Sequence, residues 1–224
     1  SGKRGLAYNT AKNTVSFAQA GHASKVSWAY NWYSTAYTPW LDGSDTSSFN
    51  PALRYIPMIH SLQSDVVGVW SKNVDSRPQD TDAVLAFNEP DGCNGGGATC
   101  MAIGNAVNGY RELMTKYGPQ VRLGSPAITN GATGIPWLKE FLSQCNGCQV
   151  DFVAVHWYAG YAPGIFNYFK SYLEEIHNTF GKPVWITEFA LEPSASEQQQ
   201  VEFMKQAVKF LDQAEWVHRY AWFF

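Results

Sequence analysis

The sequence has no apolar run long enough to cross a membrane and no cluster of a single charge sign. No stretch of 18 or more apolar residues occurs, so no transmembrane helix is expected. The net charge is -3, and acids and bases are interspersed, which leaves no basic stripe for nucleic acid and no polybasic segment for anionic lipid. The N-terminus carries no signal peptide, which fits a cytosolic chain or a processed secreted one. We therefore expect a neutral partner, and neither nucleic acid nor a membrane.

Motifs that bind nucleotides and metals are also missing. No G-x-G-x-x-G precedes a helix, and the run Gly95-Gly96-Gly97 follows a cysteine in a loop rather than a strand end. His22, His177 and His218 have neither metal-type spacing nor an acidic companion. We predict that the protein uses no cofactor and no metal.

The four cysteines form two close pairs, and this pattern favours disulfides. Cys93 and Cys100 enclose a glycine-rich loop, whereas Cys145 and Cys148 enclose Asn146-Gly147. Two local disulfides formed in an oxidising compartment are our leading interpretation, which predicts a secreted, extracellular or cell-wall-associated protein. A four-cysteine zinc site would require both loops to meet at tetrahedral geometry. A redox role for the second pair would require a strand-then-helix setting, which the sequence lacks there.

Eight apolar runs of strand character alternate with helix-period segments. The runs span residues 4–9, 26–32, 55–60, 83–87, 121–125, 152–157, 183–186 and 219–224. The clearest helix-period segments span residues 101–117, 136–142, 166–180 and 197–213. In the last segment, Val201, Met204, Val208 and Leu211 are predicted to face the core, and Ser194 or Ser196 is predicted to cap the helix.

This alternation predicts the fold. Right-handed crossovers between parallel strands favour an α/β fold of the TIM (β/α)8 barrel type, and an open doubly wound sheet is the alternative. Residues 33–50 predict a poor or short second helix, and the barrel is expected to lack its last helix because none follows the eighth strand. No linker composition divides the chain, so we expect a single catalytic domain, residues 1–224.

Two glutamates follow strands that read as buried on both faces. Glu89 stands in Phe87-Asn88-Glu89-Pro90, and Glu188 stands in Ile186-Thr187-Glu188-Phe189. The carboxyl ends of barrel strands open on one rim, so these side chains can face each other. Glycosidic cleavage needs one carboxylic acid to protonate the leaving oxygen and one carboxylate to attack, or to activate water. The pair therefore predicts sugar chemistry, although each glutamate alone fits a solvated loop residue.

Several polar and aromatic residues at strand ends are candidates for sugar binding. Asn88 can bind a sugar hydroxyl or serve as a turn residue. His156 can line the cleft or be a hydrogen-bonded residue near the core. Trp32 and Trp222 are predicted platforms for the apolar faces of sugar rings. Tyr158 and its neighbour Trp157 point to opposite sides of an extended strand, so at most one faces the cleft.

Taken together, these motifs resemble glycoside hydrolase family 128 of clan A, whose members are retaining barrels that act on β-1,3-glucan. The resemblance rests on Arg4-Gly5-Leu6-Ala7-Tyr8-Asn9, Ala86-Phe87-Asn88-Glu89-Pro90, Val155-His156-Trp157-Tyr158, Trp185-Ile186-Thr187-Glu188-Phe189 and Tyr220-Ala221-Trp222-Phe223. By this resemblance, Glu89 matches the acid/base after strand four and Glu188 the nucleophile after strand seven. The positions that match the sugar cleft are Asn88, His156, Tyr158, Trp32 and Trp222.

The resemblance implies a β-1,3-glucan hydrolase that works by double displacement. We expect a monomer that cuts internal bonds of β-1,3-glucan polysaccharide or oligosaccharides. Three alternatives remain open: an exo-acting β-1,3-glucanase, a noncatalytic β-1,3-glucan-binding protein on the same fold, and an enzyme for β-1,4-linked glucan or mannan.

Overall fold

A computed structural model describes residues 2–17, 24–43 and 45–223. In these ranges the strands are β1 Arg4–Ala7, β2 Val26–Tyr30, β3 Arg54–Tyr55, β4 Ala83–Val84, β5 Arg122–Leu123, β6 Val153–Ala159, β7 Val184–Leu191 and β8 Val217–Phe223. The α-helices are α1 Ser64–Asp75, α2 Ile103–Leu113, α3 Gly134–Gln144, α4 Ile165–Phe180 and α5 Glu197–Gln213. Short 3-10 turns lie at Ala11–Thr14 and Thr115–Tyr117. Over these same ranges no helix has both the length and the apolar character that a membrane crossing requires.

The strands follow one another around a parallel barrel in chain order. Six of them pair in the order β3-β2-β1-β8-β7-β6, and β4 pairs with β5. Isolated parallel bridges, Met58 to Leu85 and Gly124 to Phe152, connect these two sheets. Strand pairing is therefore sparse on either side of β4 and β5. The predicted barrel is confirmed, and within the described residues no helix follows β8.

Two apolar layers hold the barrel together. Trp28, Phe152 and Trp185 fill its interior, where the rings of Phe152 and Trp185 stack with centroids 4.0 Å apart. A Cβ added to Gly5 would lie 2.1 Å from the Trp28 ring, so β1 passes this ring only because residue 5 is glycine. The second layer lies between strands and helices and includes Phe203 of α5. Alternate strand residues therefore reach different layers, as the period of two requires.

The helices depart from the sequence expectations at α1 and in part of α5, whereas the described part of residues 33–50 fits the poor or short helix predicted there. Helix α1, whose buried residues Val66, Trp70 and Val74 recur every four positions, was not among the predicted segments. No helix occurs in the described part of residues 33–50. In α5, Ser196 is the N-cap and accepts from the Gln199 amide. Of the predicted apolar stripe, Leu211 is buried and Met204 and Val208 pack against the core, but Val201 is exposed, and Phe203 and Ala207 complete the buried face.

Both predicted disulfides are present. Cys93 is bonded to Cys100, and Cys145 is bonded to Cys148. The zinc interpretation is therefore wrong, because disulfide sulfurs are not available as thiolate ligands.

The carboxylate of Asp82 binds three arginines at the amino end of the barrel, opposite the strand ends where the glutamates lie. Asp82 precedes β4 and accepts hydrogen bonds from Arg54 at 2.8 Å, Arg122 at 3.0 Å and Arg219 at 2.7 and 2.9 Å. Arg219 is buried, and its guanidinium lies 4.5 Å from the centroid of the Trp185 ring. Such a charge is tolerated in an aromatic interior because a carboxylate neutralises it.

We expect Asp82→Asn to lower the free energy of unfolding by about 3 kcal/mol, because it removes the negative charge beside a buried guanidinium. Urea denaturation measures this change. The matched control is Asp80→Asn. Asp80 is 59% exposed and lies 3.9 Å from Arg54, so its loss should change stability by at most about 0.5 kcal/mol. Equal effects of the two substitutions would contradict this role for Asp82.

The same cluster predicts acid sensitivity. Burial acts to raise the pKa of Asp82, but the hydrogen bonds and charge of Arg219, with the charges of Arg54 and Arg122, outweigh it and lower that pKa. A carboxyl group with a lowered pKa in the folded state stabilises the fold above its unfolded pKa of about 4. That stability is lost as the pH falls through the folded value. Stability of Asp82→Asn should accordingly depend less on pH in this acid range.

Candidate active site

The carboxyl ends of the strands surround a cleft of about 440 Å³. Its lining residues are Asn9, Trp32, His60, Asn88, Glu89, Gly95, Gly96, Gly97, Tyr158, Glu188 and Phe223. These residues come from both ends of the sequence and from its middle. The closed order of parallel strands brings them together, because every strand ends on this rim.

A β-bulge in β7 aims Glu188 into the cleft. Val155 of β6 pairs with Ile186, but the next residue, His156, pairs with Glu188, so Thr187 is the extra residue on β7. Without a bulge, adjacent side chains would point to opposite faces of the sheet. Here Thr187 contacts His156 inside the barrel and Glu188 lines the cleft, so both side chains face inward.

Two hydrogen bonds hold the Glu188 carboxylate in place. The indole N–H of Trp32 donates to Oε1 at 2.7 Å, and the Tyr158 hydroxyl donates to Oε2 at 2.6 Å. Burial and the adjacent Glu188 charge raise the pKa of Tyr158, so this hydroxyl stays a donor. Both oxygens of Glu188 are therefore oriented by aromatic donors, which stabilise a negative charge there.

Glu89 has an unusual backbone conformation. Its φ of +44° lies in the left-handed region, which costs a non-glycine residue about 1–2 kcal/mol. Backbone hydrogen bonds offset this cost. The Glu89 amide donates to Ala127 at 2.8 Å, and the Glu89 carbonyl accepts from Gly92 at 3.1 Å and Thr99 at 3.3 Å. Strained residues of this kind cluster at functional sites.

His156 lies between the two glutamates. Its Nδ1 is 2.7 Å from Oε1 of Glu89, and its Nε2 is 3.0 Å from Oγ1 of Thr187 and 3.6 Å from Oε1 of Glu188. Burial opposes protonation of the ring, but the charges of Glu188 and Glu89 and the hydrogen bond to Glu89 outweigh it and raise the pKa of His156. His156 is fully buried and contacts the carboxylates from inside the barrel. It does not line the cleft, contrary to its predicted place among the sugar-binding residues.

Glu89, His156 and Glu188 are close enough to offer one atom each to a cation. A carboxylate oxygen of each glutamate and a ring nitrogen of His156 lie within 4.8 Å of one another. Both His156 nitrogens are already engaged, however, as are both oxygens of Glu188. A metal would have to displace these hydrogen bonds, so the geometry fits a proton-handling pair better than a metal centre.

Asn88 lines the cleft as predicted and keeps an unused acceptor. Its Nδ2 donates to the Gly97 carbonyl at 2.9 Å. Its buried Oδ1 has no hydrogen-bond partner among the described residues. A buried acceptor without a partner is costly, so Oδ1 is suited to a hydroxyl that arrives with a ligand.

The aromatic residues that were predicted to bind sugar lie on two different faces of the sheet. Trp32 and Tyr158 line the cleft, whereas Trp222 does not. The Trp222 ring lies 5.2 Å from Phe189 in the layer that faces the helices, so the prediction of Trp222 as a platform is wrong. Ala221 lies in the barrel interior, and the alternation along β8 therefore directs the next residue, Trp222, outward and Phe223 into the cleft.

Six cleft residues were not assigned from the sequence: Asn9, His60, Gly95, Gly96, Gly97 and Phe223. Phe223 could have been found by counting alternate residues along β8, and Asn9 stands just beyond the end of β1. His60 lines the cleft near the end of its predicted strand, and its Nδ1 lies 2.8 Å from the Trp32 carbonyl oxygen. Since that carbonyl only accepts, Nδ1 of His60 carries the hydrogen, and Nε2 of the neutral ring is an acceptor.

Comparisons with known proteins agree with this geometry. The model of the family "Glycosyl hydrolase catalytic core" matches residues 5–224. Alkali-sensitive linkage protein 1 of Schizosaccharomyces pombe is 33% identical over 239 residues, covering all of this chain and 39% of that protein. The chain therefore spans about two fifths of the length of this relative.

Two solved structures are similar over almost the whole chain. A family 128 subgroup III curdlan-specific exo-β-1,3-glucanase from Blastomyces gilchristii, in complex with glucose, is 33% identical with a TM-score of 0.83, covering 99% of this chain and 89% of that one. A subgroup I endo-β-1,3-glucanase from Amycolatopsis mediterranei, in complex with laminaritriose, is 25% identical with a TM-score of 0.75, covering 99% and 88%. The chain thus belongs to the glycosyl hydrolase catalytic core family, and its resemblance to glycoside hydrolase family 128 is confirmed.

Proposed function

We propose that the chain is a retaining glycoside hydrolase that cleaves β-1,3-glucosidic bonds in β-1,3-glucan by double displacement, in a single catalytic domain of residues 1–224. The supporting observation is that one carboxylate oxygen of Glu89 and one of Glu188 lie within 4.8 Å of each other in the cleft. Retaining enzymes hold their carboxyl groups about 5–5.5 Å apart, whereas inverting enzymes leave about 6.5–9.5 Å for a water molecule. The short gap favours direct attack by one glutamate.

Glu188 is the nucleophile in this proposal, and Glu89 is the acid and base. Glu188 attacks the anomeric carbon while Glu89 gives its proton to the departing glycosidic oxygen, forming a glycosyl-enzyme ester. Glu89 then takes a proton from water, which attacks the same carbon and releases Glu188. Trp32 and Tyr158 hold both Glu188 oxygens, so the carboxylate needs no reorientation during attack.

The remaining lining residues suit a neutral sugar. The unpaired Oδ1 of Asn88 can accept from a hydroxyl beside the reacting carbon, where hydrogen bonds strengthen in the transition state. Trp32, Tyr158 and Phe223 form a connected aromatic wall, since Phe223 lies 5.7 Å from Trp32 and 6.1 Å from Tyr158 between ring centroids. Aromatic rings of this kind pack against the apolar faces of sugars.

Substrate and location are inferred from the comparisons and the disulfides. Both solved relatives described above are β-1,3-glucanases, and one is in complex with laminaritriose. We propose that β-1,3-glucan polysaccharide or oligosaccharides are the partners here, and that the chain acts as a monomer without a cofactor. Its two disulfides support an extracellular location, since such bonds persist in oxidising compartments.

The mode of attack has two candidates. Internal cuts are the first candidate, as expected from the sequence, and the Amycolatopsis enzyme is an endo-β-1,3-glucanase. Exo action is the second candidate, because the Blastomyces exo-enzyme has both the higher identity and the higher TM-score of the two. Product lengths over time from a defined β-1,3-oligosaccharide separate them, since internal cuts give mixed lengths and exo action gives stepwise shortening from one end.

The activity is tested by new reducing ends from linear β-1,3-glucan, with β-1,4-glucan and mannan as comparison substrates. We expect release from β-1,3-glucan above that from either other polymer. NMR of the first product should show the β-anomer, as retention requires. Folded protein that binds β-1,3-glucan without releasing reducing ends would support the noncatalytic alternative, and equal release from all three polymers would contradict the substrate proposal.

A further inference from the structure

We propose that the loop closed by the Cys93–Cys100 disulfide positions Asn88 and Glu89 for catalysis, so that this disulfide serves proton transfer rather than the stability of the barrel. Residues 90–100 are called the acid loop below. The inference rests on the proposed function, because it concerns how the proposed acid/base is held.

The acid loop holds the backbone of Glu89 directly. The carbonyl of Glu89 accepts hydrogen bonds from the amides of Gly92 at 3.1 Å and Thr99 at 3.3 Å, which lie on opposite sides of the loop. The disulfide lies immediately beyond these two residues, between Cys93 and Cys100. Closing the loop therefore keeps both donors beside the same carbonyl.

The acid loop also holds Asn88. The Thr99 hydroxyl donates to the Asn88 carbonyl at 2.8 Å, and the Gly97 carbonyl accepts from Asn88 Nδ2 at 2.9 Å. The second bond sets the orientation of the side-chain amide, since it engages Nδ2 and leaves Oδ1 without a partner among the described residues. The loop thus contacts both residues that precede Pro90 in the site.

The start and the tip of the acid loop differ in how firmly they are anchored. Near its start, Asp91 accepts from the Thr129 amide at 3.0 Å, from the Thr129 hydroxyl and from the Thr133 hydroxyl at 3.1 Å. Its tip is exposed and contains Gly95, Gly96 and Gly97, all at positive φ, a conformation that glycine adopts readily. The disulfide, with the Cys100 amide bonded to the Gly92 carbonyl, joins the two sides of the loop below this tip.

The other disulfide offers a matched control. Cys145 is the C-cap of α3, and Cys145 and Cys148 close a turn that does not line the cleft. Its loop is also local in sequence, three residues apart against seven for the other pair. Removing each pair in turn separates a general loss of stability from a specific effect on the site.

The test compares the double variants Cys93→Ser/Cys100→Ser and Cys145→Ser/Cys148→Ser. On β-1,3-glucan we expect the first to lower kcat by about 10- to 100-fold with KM changed less than about threefold, because small displacements of a catalytic group reduce turnover on this scale. The second should stay within about twofold of the unmodified chain. The first-turnover burst rate with a 2,4-dinitrophenyl β-laminaribioside, whose leaving group needs no proton, should fall less than about fivefold in the first variant, because this step requires no acid.

Thr99 gives a test that keeps both disulfides. Thr99→Val removes the hydroxyl that holds the Asn88 carbonyl and should lower kcat on β-1,3-glucan, whereas Thr99→Ser keeps a hydroxyl and should recover most of it. Equal kcat values for Thr99→Val and Thr99→Ser would overturn the proposal, as would an unchanged kcat in Cys93→Ser/Cys100→Ser. A burst rate on the dinitrophenyl substrate that falls in this double variant as much as kcat on β-1,3-glucan would overturn it as well.

An NMR titration of His156 separates this proposal from the proposed function. The hydrogen bond and charge of Glu89 help to raise the pKa of His156, so displacement of Glu89 should lower that pKa in Cys93→Ser/Cys100→Ser and leave it unchanged in the other double variant. This readout needs no turnover. If the unmodified chain released no sugar, the proposed function would fail, and the titration would still decide whether the acid loop positions Glu89.

Discussion

Replacing Glu188 by glutamine is expected to abolish measurable hydrolysis of β-1,3-glucan, lowering kcat by about 10⁴-fold or more. The substitution keeps the size of the side chain, so Trp32 Nε1 at 2.7 Å and the Tyr158 hydroxyl at 2.6 Å can still surround it. An amide cannot form the glycosyl ester, because its oxygen is a poor nucleophile and its nitrogen carries no available lone pair. Reducing-end assays over long incubations measure the loss.

The matched control is Glu192→Gln. Glu192 follows the end of β7, on the same rim as Glu188, but it is exposed and does not line the cleft. Its substitution should leave kcat within about twofold. Binding of laminari-oligosaccharides should survive in Glu188→Gln, since the aromatic wall and Asn88 remain. Substantial turnover by Glu188→Gln would show that the nucleophile had been assigned to the wrong residue.

The pKa of His156 provides a second test of the Glu188→Gln variant. The charge of Glu188 is the largest of the influences that raise the pKa of His156, so its removal should lower that pKa in an NMR titration. Glu192→Gln should leave the pKa of His156 unchanged. This measurement tests whether Glu188 is ionised beside the ring, independently of any substrate.

The fold was largely predictable because its strongest signals are local. Buried strands that alternate with amphipathic helices indicate a parallel α/β fold, and the paired cysteines enclose turn residues. The errors occurred where packing decides between equivalent patterns. In α5, the buried face is centred on Phe203, Ala207 and Leu211, because the Phe203 ring stacks on Trp157, and Val201 at the edge of the predicted stripe is left exposed.

The candidate site was predictable in its residues and less so in their geometry. Strand ends located Glu89 and Glu188, since a barrel gathers all of its strand ends on one rim. The bulge at Thr187 and the positive φ of Glu89 depend on long-range pairing, so no local pattern indicates them. Trp222 was assigned to the cleft because tryptophan is a common platform, although alternation along β8 favours its neighbour Phe223.

Replacing Glu89 by alanine is expected to lower kcat on β-1,3-glucan by about 10²–10⁴-fold, the usual contribution of a general acid and base. Unlike loss of the nucleophile, this loss should depend on the leaving group. The leaving group of a 2,4-dinitrophenyl β-laminaribioside departs without protonation, so Glu188 can still form the glycosyl ester and release dinitrophenolate rapidly in the first turnover. Stopped-flow absorbance measures this burst, and the following steady state should be slow because no base activates water.

An external anion distinguishes this role from simple misfolding. Azide needs no deprotonation, and the space left by the Glu89 side chain lies in the cleft beside His156, so added azide should accelerate the slow step and yield a β-glycosyl azide. Azide should have no such effect on Glu188→Gln, which forms no ester, or on Glu112→Ala, an exposed substitution on α2. An α-configured azide product from Glu89→Ala would instead indicate a single displacement, and the approach of Glu89 to within 4.8 Å of Glu188 would then not reflect a retaining mechanism.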